Sequence, residues 1–199
     1  LDVALFVADG PVSAAGVFTL NRVCGAPVKV SRDRVPSEDV RAVIVNSGNA
    51  NACTGARGIE DAETMARLVA RRLGCAPESV LVCSTGVIGH YLPMDVIGVG
   101  IEAVVEVLGD SAESFAAAAR AMMTTDTVLK QSVHEASLSG GACRVSGAAK
   151  GAAMIGPNMA TMLAVVMTDA SLTPQQTDAV LRQAVDSSFN SISVEGHTS

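Results

Sequence analysis

The chain has no tryptophan, one tyrosine and four phenylalanines in 199 residues, 3% aromatic in all. A core built on large rings is excluded, and 18 glycines among abundant alanine and valine point to thin layers that approach closely through small side chains. Basic residues are also few: 14 Lys and Arg against 20 Asp and Glu leave a net charge of −6. With no basic cluster interleaved with aromatics, a nucleic-acid partner is excluded. No apolar run approaches the roughly 18 to 20 residues of a membrane-spanning helix. Nor does a charged start followed by an apolar segment mark a secretory signal. The expectation is a soluble, cytoplasmic protein with neither a membrane nor a nucleic acid as partner. The five cysteines are odd in number and form no CxxC pair, which argues against a disulfide framework. His90, His134 and His197 stand apart from one another and from the cysteines, so no metal site is expected. The cysteines read as small buried hydrophobes, with a Cys-His catalytic pair as the sharper alternative.

What is present is 49% hydrophobic sequence, enough for a substantial core. Two strands, 3–8 and 14–19, are expected around the hairpin chemistry of Asp9-Gly10-Pro11. Two more are expected over 27–31 and 42–46, the second a Val/Ile run suited to a buried strand. Residues 60–73 place Ala62, Met65, Ala66, Val69 and Leu73 on one helical face, with acids in the first turn, arginines in the last and Gly74 beyond. A short strand at 80–83 ends at Ser84-Thr85-Gly86. Helices at 97–108 and 111–123 follow, with Ser111 as N-cap. Strands 130–136 and 142–149 flank Gly140-Gly141 as a hairpin, and 161–167 is a β-rich apolar run. Thr173-Pro174-Gln175-Gln176 opens a helix to about 186 with the pattern of a capping box, and 191–194 is read as a last strand. Strands and helices interspersed with hairpins indicate a mixed α/β layered sandwich rather than a regular βαβ series.

The segment from Lys150 to Leu163, KGAAMIGPNMATML, runs a small-residue loop into an apolar strand through Ala160-Thr161. A threonine hydroxyl needs a base. If the Ala160–Thr161 bond is cut, the freed α-amine of Thr161, with an ordinary pKa of about 7.7 to 8.0, can take the proton of its own hydroxyl near neutral pH. Thr85-Gly86 offers a hydroxyl and a glycine N–H that a developing oxyanion can reach, or else it is an ordinary strand-ending turn. Lys150 is one of only three lysines. Asn46 to Asn51 is dense in turn formers and amides, either cradling a ligand or capping backbone groups. It lacks the spacing of a phosphate loop.

That segment resembles the signature of the ornithine acetyltransferase family of arginine biosynthesis. The resemblance extends to LDVALFVAD and SAAGVFTLNRV near the start, NSGNANACTG at 46–55, STGVIG at 84–89, TTDT at 124–127 and SFNSISVEGHTS at the end. It implies the fold shared by ornithine acetyltransferases and DmpA aminopeptidases, and self-cleavage between Ala160 and Thr161. It further implies acetyl transfer from N-acetylornithine to glutamate through acetyl-Thr161, with no cofactor apart from acetyl-CoA as a co-substrate in some members. Thr85 and Gly86 match the family's oxyanion pair. Thr124 and Lys150, with Thr161, match its substrate-binding positions; a Lys150 ammonium would pair with an α-carboxylate. Residues 1–160 would form an α-subunit region and 161–199 the front of a β subunit, in an assembly of two α and two β chains, the sequence being an internal fragment.

Three departures from the family pattern stand out: Ala153 where glycine is usual, Leu129 where proline is usual, and Glu195-Gly196-His197 where Asp-Gly-Asp is usual. Ala153 would strain the loop if its position required φ > 0. The alternatives to acetyl transfer are an aminopeptidase of the same fold, which would normally carry Ser at position 161, and a non-catalytic fragment.

Overall fold

A computed structural model describes residues 2–138, 140–156 and 161–196. Six strands form two three-stranded sheets. In the first, β1 (Val3–Ala14) pairs antiparallel with the central β2 (Ser37–Asn49), which pairs in parallel with β3 (Val80–Val87). In the second, β4 (Lys130–Leu138), β5 (Gly141–Lys150) and β6 (Leu163–Thr168) are antiparallel throughout. Helices α1 (Ala26–Arg32), α2 (Gly55–Leu73), α3 (Met94–Glu106), α4 (Ala112–Ala121) and α5 (Pro174–Asp186) surround them. No described helix is long and apolar enough to cross a membrane.

The alternation of side chains along a strand sorts the core into two clusters. Leu5, Ala42, Ile44, Val80 and Val82 share one face of the first sheet with Met65, Ala66 and Val69 of α2 and Ile97 and Ile101 of α3. Ala4, Phe6 and Val45, of opposite parity, meet Ala119 of α4, its C-cap Met122, and Ala148 and Val165 of the second sheet. The order of layers is therefore helices, first sheet, then α4 with the second sheet. Aromatic contact is confined to one edge-to-face pair among the described residues, Phe6 with Phe115 at 5.9 Å. Small side chains fill the remaining space, as the composition requires.

Several sequence expectations hold in detail. Gly74 ends α2 in the left-handed conformation at φ 67. Ser111 caps α4 by accepting the Ser114 N–H, and Thr173 and Gln176 close a reciprocal capping box on α5. Leu138 pairs with Gly141 across the expected hairpin.

Others are corrected. No hairpin forms at Asp9-Gly10-Pro11: β1 runs straight through, and the surplus residues are absorbed as a bulge, Val7 facing Ala42 while Val12 faces Val40. Residues 27–31 are helical in α1. Pro27 sits at the start of that helix, where a missing N–H costs nothing, and Val30 and Ser31 face inward. An apolar run this short carries no decisive period. The Ser31 hydroxyl donates to the Val82 carbonyl at 2.7 Å and accepts the Val82 N–H at 2.8 Å, so α1 covers the free edge of β3. α2 begins at Gly55, five residues before the expected start, and Gly58 in its first turn fits against Thr54, whose Oγ1 would lie 1.9 Å from any Cβ there. The expected last strand is a 3₁₀ turn at Phe189–Ser191 followed by an isolated bridge of Val194 to Ile155.

Candidate active site

β3 does not stop at Cys83. It continues alongside β2, with Thr85 opposite Ser47 and Gly86 opposite Gly48. Thr85 shares the parity of Cys83, which packs in the cluster between the sheets, so its side chain faces the second sheet. Gly86 has φ 135, and a Cβ there would lie 2.1 Å from the Gly48 carbonyl carbon and 2.4 Å from Asn49 N. No side chain fits, which explains glycine beside Thr85.

The asparagine-rich stretch from the end of β2 to Asn51 is held by its own amides. Asn46 donates to the Asn49 carbonyl at 2.8 Å, Asn49 to the carbonyls of His90 and Tyr91, and Asn51 to Gly58 at 2.8 Å. Asn51 also accepts the Thr54 hydroxyl, and the Ser47 hydroxyl reaches the Ala121 carbonyl at 2.8 Å. These bonds favour the capping reading of that loop over a ligand cradle.

From the second sheet, Lys150 ends β5 with the inward parity of Ala148 and is 4% exposed. Its ammonium donates to Thr85 Oγ1 at 3.0 Å and to Thr124 Oγ1 at 2.9 Å. Burial pushes the Lys150 pKa down, Asp126 raises it, Lys130 lowers it again, and the net direction is downward. Asp126 lies within this cluster with no side-chain exposure, 4.0 Å from Lys150 Nζ. Its Oδ1 accepts from Lys130 Nζ and from Gly151 N, both at 2.7 Å, and its Oδ2 accepts from Thr124 N at 3.3 Å. Burial raises the Asp126 pKa, but those three donors and the Lys150 charge outweigh it, and the carboxyl lies below its ordinary value.

Thr161 reaches the same place through the sheet register. β6 pairs Leu163 with Lys150, so Thr161 lies just beyond the end of the ladder. A Cβ on Gly151, at φ 149, would sit 3.4 Å from the Thr161 carbonyl oxygen. Thr161 itself has φ 62, rare for a β-branched residue. The structure thus gathers Thr85, Gly86, Thr124 and Lys150, with the Thr161 backbone beside Gly151. Ala160 and His197 lie outside the described residues. Positive φ falls at Gly151 and Met154 and not at Ala153, so that departure carries no backbone strain, and Leu129 packs into the cluster between the sheets.

Sequence reasoning missed Asp126, although TTDT contains it. Its signal was an aspartate four residues before one of the few lysines. Burial pushes the Cys83 thiol up to about 11, leaving it protonated and unreactive at neutral pH. Among the described residues no group of three His, Cys, Asp or Glu is placed to hold a metal ion. Two open clefts, of about 420 and 460 Å³, are lined by residues such as Phe18, Arg32 and Asp178 in one and Lys29, Cys53 and Ile59 in the other, and neither includes Thr85, Lys150 or Thr161. The candidate site is a polar cluster where the two sheets meet.

The chain is 51% identical over 199 residues to the arginine biosynthesis bifunctional protein ArgJ of Geobacter sulfurreducens, all of this chain against 50% of that protein. It is 48% identical over 200 residues to a glutamate N-acetyltransferase of Methanosarcina mazei, covering 49% of it. The chain therefore spans about half the length of the relatives it matches. Its fold matches the crystal structure of arginine biosynthesis bifunctional protein ArgJ from Bacillus halodurans with a TM-score of 0.73 at 43% identity, over 81% of this chain and 83% of that one. It matches an ornithine acetyltransferase complexed with ornithine from Mycobacterium tuberculosis with a TM-score of 0.71 at 40% identity, over 79% and 83%. The family model described as the ArgJ family matches residues 1–199, and the chain belongs to that family.

Proposed function

We propose that this chain carries the nucleophile, the oxyanion donors and part of the amino-acid site of a self-cleaving glutamate N-acetyltransferase of arginine biosynthesis. The observation that carries the reading is the Lys150 ammonium bridging Thr85 and Thr124, next in sequence to the Gly151 that the Thr161 backbone approaches, in a chain with a relative named for that activity.

An ammonium has no lone pair, so Thr85 and Thr124 must both accept from Lys150. The Thr85 hydroxyl hydrogen is then free to donate to a carbonyl oxygen on which charge develops, with the Gly86 N–H as its companion. In maturation, Thr161 Oγ attacks the Ala160 carbonyl. The C–N bond breaks, the proton passes to the Thr161 nitrogen, and water resolves the ester to leave a free α-amine. The left-handed backbone of Thr161 supports this step, since such strain stores on the order of 1 to 3 kcal/mol.

In turnover that amine takes the hydroxyl proton while Oγ attacks the acetyl carbonyl of N-acetylornithine. Ornithine leaves as its amine, and the amine of glutamate attacks the acetyl ester to regenerate Thr161. With two of its three donors on threonines, Lys150 has one left for a substrate carboxylate, and Thr124 adds a hydroxyl contact. Acetyl-CoA is a second acetyl donor on this reading, no other cofactor takes part, and the protein works in the cytoplasm. Residues 1–160 end one subunit and 161–199 begin the other, in an assembly of two copies of each.

The test is the intact mass of the complete natural polypeptide beside its Thr161→Ala variant, followed by acetyl transfer from N-acetylornithine to glutamate. Two species split at Ala160–Thr161 and acetyl transfer in the parent, with one uncut and inactive species in the variant, are expected. An uncut, active parent would remove the N-terminal amine from the mechanism. A cut parent that releases amino acids from peptide amides without an acetyl acceptor would make it an aminopeptidase.

A further inference from the structure

Asp126 has no part in the steps above, yet it is the most heavily engaged polar side chain near them. Its carboxylate is fully buried and ties three segments together: the bend after α4 through the Thr124 N–H, the start of β4 through Lys130, and the end of β5 through the Gly151 N–H. A buried carboxylate without donors is strongly disfavoured, and here every donor comes from a residue at or next to the site. The two threonines that meet at Lys150 Nζ are 39 positions apart on separate elements, so their convergence requires something to hold the ammonium between them. Among the described residues Asp126 and Lys130 are the charged groups acting on Lys150. Only Asp126 attracts it.

We propose that Asp126 is the positioning residue of the site: it fixes the Lys150 ammonium between Thr85 and Thr124 and thereby directs the Thr85 hydroxyl toward the reacting carbonyl. The inference rests on the oxyanion role given to Thr85 above. Oδ1 holds the Gly151 N–H and the Lys130 ammonium, while Oδ2 faces both Lys150 and the Thr124 N–H. Asparagine has nearly the same shape but one acceptor fewer and no charge, so Asp126→Asn removes the attraction on Lys150 with little change of volume.

The experiment is a double-mutant cycle in the complete natural polypeptide, with Asp126→Asn, Lys150→Met and the pair, scored on cleavage rate by intact mass and on kcat and KM for acetyl transfer. Asp126→Asn is expected to slow both reactions by about tenfold to a hundredfold with a much smaller change in KM, the signature of misplaced catalytic groups. Because Asp126 acts through Lys150, the pair is expected to be no slower than Lys150→Met alone. Losses that multiply in the pair, or an Asp126→Asn variant with wild-type rates, would overturn the proposal. Should Asp126→Asn fail to fold, the same cycle on a Lys130→Met background removes the second, partly exposed cation of the cluster and is read in the same way. Wild-type protein that neither cleaves nor transfers acetyl would refute the parent reading itself, and the inference with it. Active wild-type protein with an additive cycle refutes only the role of Asp126.

Discussion

Replacing Gly86 by alanine tests the tightest approach of backbone to backbone at any described glycine. The added Cβ would lie 2.1 Å from the Gly48 carbonyl carbon, 2.4 Å from Asn49 N and 2.4 Å from Gly48 O. Ordinary contacts between such atoms are about 3.5 to 4.0 Å, so β2 and β3 must separate by more than about 1 Å where their ladder ends. All three obstacles are backbone and cannot rotate aside. The backbone adds its own cost, since φ 135 is a region that L side chains rarely adopt. Strain of about 1 to 3 kcal/mol and overpacking of about 1 to 3 kcal/mol together lower stability by roughly 2 to 6 kcal/mol. For a chain of this size that is a fall in melting temperature of at least about 4 °C. The assay is thermal unfolding of Gly86→Ala beside Gly10→Ala, whose Cβ meets nothing within 4 Å and whose φ needs no glycine. The control is expected to melt with the wild type or slightly above it. Gly86→Ala melting within about 2 °C of wild type would show that the strands do not approach as described, and with that the explanation for glycine beside Thr85 would fall.

Two further outcomes follow from the buried charges. Lys150→Met is expected to shift the melting temperature by less than about 4 °C, since the lysine is held against its own desolvation and Asp126 keeps Lys130 and two N–H donors. Asp126→Ala, which leaves the buried Lys150 without its counter-ion, should lose about 3 to 5 kcal/mol, or about 6 to 20 °C; thermal melts that reverse this order would contradict the cluster. Asp61 carries the opposite sign. Burial raises its pKa against Arg57, with Glu60 adding to the rise, and its buried Oδ2 has no hydrogen-bond partner. Native protein then binds a proton more tightly than the unfolded chain, so the ionised carboxylate is a standing cost at pH 7 that disappears as pH falls through the raised native value toward about 3.9. Asp61→Ala should therefore melt higher than wild type at pH 7, with the gain shrinking toward pH 4, whereas Asp126, whose native pKa is lowered, stabilises fully above about 3.9 and loses that contribution only below it. An Asp61→Ala advantage that grows on acidification would reverse the sign argued here.

Local chemistry was legible in the sequence where a signal sits within a turn of its target. The capping box at Thr173, the left-handed Gly74 and the β4–β5 hairpin are all of that kind. It failed where tertiary contacts decide. Asp9-Gly10-Pro11 has hairpin composition, but β2 offers β1 a partner long enough to carry it through as a bulge. Residues 27–31 look β-branched enough for a strand, but a helix places Ser31 on the β3 edge. The site shows the same division. Thr85, Thr124 and Lys150 were nominated by motif, yet their meeting depends on contacts across 65 and 26 positions that no local pattern encodes. Asp126 was passed over because an aspartate in a polar tetrapeptide looks solvated until the second sheet covers it.

The antiparallel ladder between β5 and β6 runs from Val145–Thr168 to Lys150–Leu163, and α5 beyond it lies against β1. Any break in the chain between Lys150 and Leu163 would leave both pieces laced together along that whole ladder. Dilution alone would not part them, whereas denaturant would, so a nicked molecule would run as one particle on a sizing column and as two bands in detergent. A newly created terminus at Thr161 would be moored by the strand that follows it, beside Gly151 just past the end of the neighbouring strand, with no need to find its place again.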